Sequence, residues 1–228
     1  MSTILRLAVF DVDGTLIDSQ HNIVAAMTLA WQMHGLGEPR PEAVRRIIGL
    51  SLVEACARLL PEPDEALALA VAHSYKDAFV TLRGHPDHSE PLFPGAVEAL
   101  VRLEEDGWLL GIATGKSKRG LDAMLDRHGL HGRFLTMQTA DDNPSKPHPA
   151  MMMRALGETG VDAAAAVMIG DTAYDMLMAR QAGAHALGVA WGNHPPEELE
   201  AAGAEAVAND YEGLPALLDG LVGGRACA

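Results

Sequence analysis

The feature that most constrains this chain is a repeated pairing: a short, apolar, β-branched run ends on a polar or acidic cluster that opens a helical pattern. Leu7 to Phe10 runs into Asp11-Val12-Asp13-Gly14-Thr15. Leu109 to Ala113 runs into Thr114-Gly115-Lys116-Ser117, and Ala166 to Ile169 into Gly170-Asp171-Thr172-Ala173-Tyr174-Asp175. Runs this short and this apolar read as strands buried on both faces of a parallel sheet, and Phe134 to Thr139 and Ala186 to Ala190 read the same way. Helical patterns lie between the later runs: Pro94 to Asp106, Lys118 to His128 closed by Gly129, Pro149 to Gly157, and Ala173 to Gln181 closed by Gly183. Ala163 to Ala166 is expected to be a helix or turn leading into the next strand. Alternation of this kind predicts an α/β fold with a doubly wound, Rossmann-like parallel sheet.

The stretch from Asp18 to His88 breaks that rhythm. His21 to His34 carries Ile23, Met27, Ala30 and Trp31 at helical spacing, Ser51 and Glu54 match a capping box, and Asp64 to Leu82 has a long helical composition. The expected organisation is a core of residues 1–17 and 89–228 with an all-helical cap, residues 18–88, inserted after the first strand as a lid.

With 228 residues, 48% of them apolar, the chain can bury a sizeable core and has no mark of disorder. Its formal charge of −14 disfavours nucleic acid and anionic membranes, both of which need a basic footprint. An anionic ligand can still bind where a metal ion, a lysine and backbone N–H groups make a cleft locally positive. Cys56 and Cys227 are too few and too far apart for a disulfide framework, so both are expected as free thiols in a reducing compartment. Neither a signal-peptide pattern nor an apolar run of membrane-spanning length is present, which points to the cytoplasm.

Alone, Asp11-Val12-Asp13-Gly14-Thr15 serves equally well as a turn. The second acidic cluster, Asp171 and Asp175, shifts that balance, because two strand ends then deliver carboxylates to one edge of the sheet, where open α/β folds bind ligands. Crowded carboxylates repel unless a hard cation sits among them, and Mg²⁺ takes such oxygens together with substrate phosphate. Thr114 and the N–H groups after it open a helix and can hold phosphate oxygens, although Leu110 stands where a P-loop needs glycine. Lys146, in Ser145-Lys146-Pro147-His148-Pro149, supplies one cation between the acidic strand ends.

Taken in order, Asp-x-Asp-Gly-Thr, Thr114, Lys146 and the Gly170-Asp171 pair with Asp175 resemble the haloacid dehalogenase superfamily, in its phosphatase branch with a helical cap. The resemblance spans Leu7 to about Leu218 and includes Phe93-Pro94-Gly95 at the cap exit. It implies that Asp11 is the nucleophile forming an aspartyl-phosphate, with a carboxylate oxygen also on Mg²⁺. By the same likeness Asp13 is the general acid and base, with its main-chain carbonyl on the metal, and Asp171 is the remaining direct metal ligand. Thr114, Gly115 and Lys146 meet the phosphoryl group, and Asp175 positions Lys146 and a water beside the metal. A cis Lys146-Pro147 bond is also implied.

Asp13 favours phosphatase or phosphomutase chemistry, since an alkoxide leaving group needs a proton. The members that look most similar are phosphoglycolate phosphatases, so the expected ligand is a small phosphorylated metabolite of that type. Gly115 departs from the asparagine many of them carry, which removes one possible phosphate contact. Arg45, Arg46 and the Gly49-Leu50-Ser51 loop are candidates for reaching a substrate carboxylate, with a solvated helix face the alternative for either arginine. His85 and His88 read as surface residues, and Trp108 and Trp191 as core. Two other readings remain beside the hydrolase: a phosphomutase acting on a sugar phosphate, and a non-enzymatic phospho-acceptor of the receiver type. The sequence carries no sign of an oligomeric state.

Overall fold

The computed structural model describes residues 5–85 and 88–223, so Cys227 lies outside the described residues. After β1 (Arg6–Phe10) the chain forms α1 (Gln20–Met33), α2 (Pro41–Arg45), α3 (Leu52–Leu59) and α4 (Glu65–Arg83). It then alternates through α5 (Ala96–Glu105), β2 (Trp108–Ala113), α6 (Lys118–His128), β3 (Thr136–Gln138), α7 (Ala150–Thr159), a 3₁₀ turn at Ala163–Ala165, and β4 (Ala166–Gly170). The last elements are α8 (Ala173–Gln181), β5 (His185–Val189), α9 (Pro196–Ala202), β6 (Ala206–Ala208) and α10 (Leu214–Gly223).

The strands form one six-stranded sheet in the order β3-β2-β1-β4-β5-β6, with every pair parallel. Side-chain alternation divides β1 between two cores, as expected of a strand covered on both faces. Ala8 and Phe10 pack with Leu100, Leu110, Leu121 and Leu218, while Leu7 and Val9 pack with Met151, Met168 and Met176. Because β1 lies between β2 and β4, the winding reverses direction beside it, and Phe10 pairs with Ile169 at the carboxyl end. That reversal leaves a crevice at the strand ends, and Asp11 and Asp171 follow directly into it.

Helices α1 to α4 form the inserted cap around their own apolar cluster, which includes Met27, Trp31, Val71 and the fully buried Cys56. Burial pushes the Cys56 thiol up to about 12, so it is an inert core side chain. The chain leaves and returns through two adjacent segments: Ile17 bridges Leu92, Asp18 N–H donates to the Pro91 carbonyl at 2.9 Å, and Phe93 N–H to the Leu16 carbonyl at 3.0 Å. Among the described residues no helix is long and apolar enough to cross a membrane.

Several local expectations need correction. Ser51 does begin α3, but its side chain makes no cap hydrogen bond, and Glu54 pairs with Arg58 instead. The capping box is at Thr172 and Asp175. His88 is not a surface residue: its side chain is 2% exposed, bonded to Glu90 at 3.0 Å and edge-on to Phe79. The run Phe134 to Thr139 gives only the short edge strand β3, and β6, α9 and α10 have no counterpart in the sequence reading. Trp108 is in the core, and Trp191 packs against it while its indole N–H donates to the Thr15 carbonyl at 3.1 Å.

Candidate active site

Three carboxylates converge at the β1 and β4 ends: one oxygen each from Asp11, Asp171 and Asp175 lies within 4.8 Å of the others, and all three residues are buried. The Lys146 ammonium sits among them, 3.0 Å from Asp11 Oδ1 and 2.6 Å from Asp175 Oδ1. The peptide before Pro147 is cis. Asp175 is held by its own helix start, where the Thr172 N–H and hydroxyl both donate to Oδ2, at 3.2 and 2.7 Å. Both Asp175 oxygens are therefore engaged, one by Lys146 and one by Thr172.

Asp171 is fixed by the Thr15 hydroxyl at 3.0 Å and by the Asn193 backbone and side-chain amides at 2.8 and 2.7 Å. Gly14 has φ +81°, and a Cβ there would lie 2.2 Å from Asp171 Oδ2, so the turn after Asp13 admits only glycine. Asn193 was missed by the sequence reading. It follows β5 in a loop with no strand-end motif, and only the folded chain brings it beside Asp171.

Electrostatics follow from this crowding. Burial pushes the Asp11 carboxyl well up; Lys146 opposes the shift, and the charges of Asp175, Asp171 and Asp13 reinforce it. Asp171 is pushed up to about 6 by burial and then by Asp175, against the hydrogen bonds from Asn193 and Thr15. For Lys146 burial disfavours the ammonium, but Asp11 and Asp175 outweigh it and raise its pKa, so it stays charged. The cluster remains short of positive charge, and Asp11 Oδ2 is buried with no hydrogen-bond partner. An all-oxygen, carboxylate-rich donor set with one orphaned oxygen fits a hard divalent cation.

A cavity of about 320 Å³ opens from this cluster toward the cap, with Asp11, Asp13 and Thr114 at its core end. The cap loop Gly49-Leu50-Ser51 lines it too, and Ser51 N–H donates to Ser145 Oγ at 2.8 Å. Gly115 explains how close that loop comes: a Cβ there would meet the Leu50 carbonyl oxygen at 2.4 Å. The missing side chain thus lets the cap loop settle against the core. The Arg46 carbonyl also ties cap to core, accepting from the Tyr174 hydroxyl at 3.1 Å and lying 3.3 Å from His194 Nε2.

Arg45 and Arg46 do not reach the cavity. Arg45 faces Glu42 at 3.9 Å, and Arg46 pairs with Glu198 at 2.6 Å, so the short helix α2 turns both guanidinium groups away from the substrate space. Lys116 enters instead, 2.6 Å from Asp13 Oδ1, which also accepts from the Ser19 hydroxyl at 2.5 Å. Lys116 was visible in Thr114-Gly115-Lys116-Ser117, but spacing alone gave no sign that it crosses to the first strand end. Lys76, Arg83 and Arg119 line the same cavity, alongside the carboxylates of Asp11, Asp13 and Asp141.

This geometry defines a phosphate-handling hydrolase built on a doubly wound parallel sheet with an inserted helical cap. The family description of the haloacid dehalogenase-like hydrolases matches residues 8–189, and the chain belongs to that family. It is 36% identical to "Probable phosphatase IndB" of Dickeya dadantii, over 90% of each chain. It is 32% identical to the plasmid-encoded phosphoglycolate phosphatase of Cupriavidus necator, over 91% of this chain and 90% of that one. A crystal structure of a hydrolase from Pseudomonas syringae superposes with a TM-score of 0.83 at 29% identity, covering 94% of this chain and 98% of that one. The protein is a phosphatase of this family, similar to its phosphoglycolate phosphatases.

Proposed function

We propose that the protein is a Mg²⁺-dependent phosphate-monoester hydrolase that works through a phosphoaspartate on Asp11 and acts on a small phosphorylated metabolite, the class to which 2-phosphoglycolate belongs. The observation that carries this reading is the orphaned Oδ2 of buried Asp11 at the head of the cavity, with Lys146 on its other oxygen. Asp11 attacks phosphorus, and the bond from phosphorus to the ester oxygen breaks. The departing alkoxide takes a proton from Asp13, which lines the same cavity. Asp13 then takes a proton from water as the water attacks phosphorus, and the bond to Asp11 breaks to release inorganic phosphate.

Thr114 and the N–H groups following it, with the side-chain-free Gly115, receive the phosphoryl oxygens, and Lys146 offsets charge between them and Asp11. Asp11, Asp171 and the main-chain carbonyl of Asp13 would hold Mg²⁺, which supplies charge neutralisation as the anionic ester approaches a carboxylate. Residues 18–88 act as the lid that excludes water and bulky phosphoproteins. Cysteine usage supports a reducing, cytoplasmic setting, and the acidic charge supports the absence of nucleic-acid or membrane partners.

Phosphate release from a panel of monoesters that includes 2-phosphoglycolate and hexose phosphates, with Mg²⁺ or with chelator, tests the reading. Chelation should abolish release, and Asp11→Asn should lower kcat by about 10³-fold or more. Metal-independent release, or an active Asp11→Asn, would refute it. Isomerised hexose phosphate in place of free phosphate would make the protein a mutase.

A further inference from the structure

We propose that the organic part of the substrate is predominantly apolar and larger than glycolate, and that the cap selects it by burial instead of by pairing a carboxylate. This rests on the phosphatase reading above and names the substrate class of the same site. The cavity of about 320 Å³ falls at the low end of the roughly 300–1,000 Å³ of organic-ligand sites, well beyond what a phosphoryl group alone needs. A phosphoryl group at Asp11 and Thr114 fills only its core end.

Most of the cap's share of the remaining wall is apolar. Met27, Ile48, Leu50 and Phe79 line it from the cap. Val53 on α3 and Val80 on α4 line it as well, and they are 43% and 47% exposed. Neither valine belongs to the packed cap cluster, so packing within the cap gives no reason for them to be apolar. A partly exposed valine facing a ligand cavity gains burial when an apolar group fills it.

The arginines of α2 and the lysine nearest the reacting carboxylates are committed to other partners. Arg45 and Arg46 face Glu42 and Glu198 outside the cavity and Lys116 is held by Asp13, while Arg83 lies at the wall with its guanidinium over the Phe79 ring at 5.3 Å. Lys76 and Arg119 also line the cavity, but as exposed residues they attract anions from solution without desolvating a pair. A carboxylate placed against the apolar wall loses hydration with little to replace it. Tyr75 of the cap also lines the cavity, and burial keeps its hydroxyl protonated, as does the nearby charge of Asp13.

Benzyl phosphate and 2-phosphoglycolate separate the two classes, since each departs as an alkoxide and their ratio reads the pocket more than leaving-group chemistry. With Mg²⁺, kcat/KM for benzyl phosphate should exceed that for 2-phosphoglycolate at least tenfold, and Val80→Asp should cut this ratio at least fivefold. A ratio near or below one, or a ratio that Val80→Asp leaves unchanged, overturns the proposal. Hydrolysis of neither ester would count against the phosphatase reading, and calorimetric binding of the phosphonate isosteres then decides the pocket. Tighter binding of phenethylphosphonate than of 3-phosphonopropionate upholds the apolar assignment; equal or weaker binding overturns it.

Discussion

Lys146 neutralises two buried carboxylates at once, at 3.0 Å from Asp11 and 2.6 Å from Asp175. Removing one partner of a buried ion pair leaves an uncompensated charge, which typically costs about 3–5 kcal/mol. Lys146→Met should therefore lower the denaturant midpoint by an amount equivalent to roughly that range, besides abolishing turnover. Urea melts of the two proteins check this, and a shift below about 1 kcal/mol would mean that Asp11 and Asp175 simply protonate when the lysine is lost. At this scale the sequence was most legible where chemistry and chain order coincide. Asp11, Asp13, Thr114 and Asp171 follow strands within three residues, Asp175 lies in the first turn of α8, and Lys146 precedes α7 in a proline-flanked segment. It was silent where a contact depends on a long side chain crossing between elements: Lys116 reaching Asp13, Asn193 reaching Asp171, and Arg46 turning to Glu198.

The contact between the cap loop and the start of α6 depends on Gly115. Its absent Cβ leaves room for the Leu50 carbonyl oxygen, which would otherwise lie 2.4 Å away, and a backbone atom cannot swing aside as a side chain can. Gly115→Ala should hold the loop off the core and lower kcat/KM about tenfold or more, while changing the melting temperature little, because cap and core have separate apolar clusters. Steady-state kinetics and a thermal melt on one sample separate these effects. A large fall in melting temperature would show that the contact supports the fold itself. At the amino end of α8 the Thr172–Asp175 capping box joins helix formation to catalysis. Thr172→Ala should cost about 1 kcal/mol and also weaken turnover, since Asp175 would lose the bonds that aim it at Lys146. Among the elements, the short apolar runs of β1, β2, β4 and β5 and the helices alternating with them were readable in sequence, whereas the capping box at Thr172 was not. Elements with a weak pattern were not: β6 is three residues from an alanine-rich stretch, and α9 begins at paired prolines.

Across the whole molecule, three buried carboxylates from distant parts of the chain, Asp11, Asp171 and Asp175, are gathered within 4.8 Å of one another, where a cation belongs. A carboxyl whose pKa is raised in the folded chain holds its proton more tightly there than when unfolded. Its contribution to stability is present at low pH and lost as pH climbs from its ordinary value of 3.8 through about 6 for Asp171, and Asp11 is shifted in the same direction. Above that window the metal-free protein carries unrelieved repulsion, which a divalent cation removes. Added Mg²⁺ should accordingly raise the melting temperature more at pH 7.5 than at pH 5, and Asp171→Asn should shrink that difference. Thermal melts at both pH values check it, and an equal gain at both would detach the metal from these carboxylates. The parallel sheet and inserted cap were legible because strand alternation breaks over one continuous stretch. The cap's choice of ligand was not, since it depends on which way each arginine faces once α2 is folded.

The central claim is that phosphorus passes through Asp11. Its most direct test is to quench the enzyme in acid during turnover with Mg²⁺ and map the phosphoryl group by peptide mass spectrometry. Phosphate on the peptide carrying Asp11, absent from Asp11→Asn, is the predicted result. A phosphoryl group on another residue, or undiminished phosphate release by Asp11→Asn, would contradict the account.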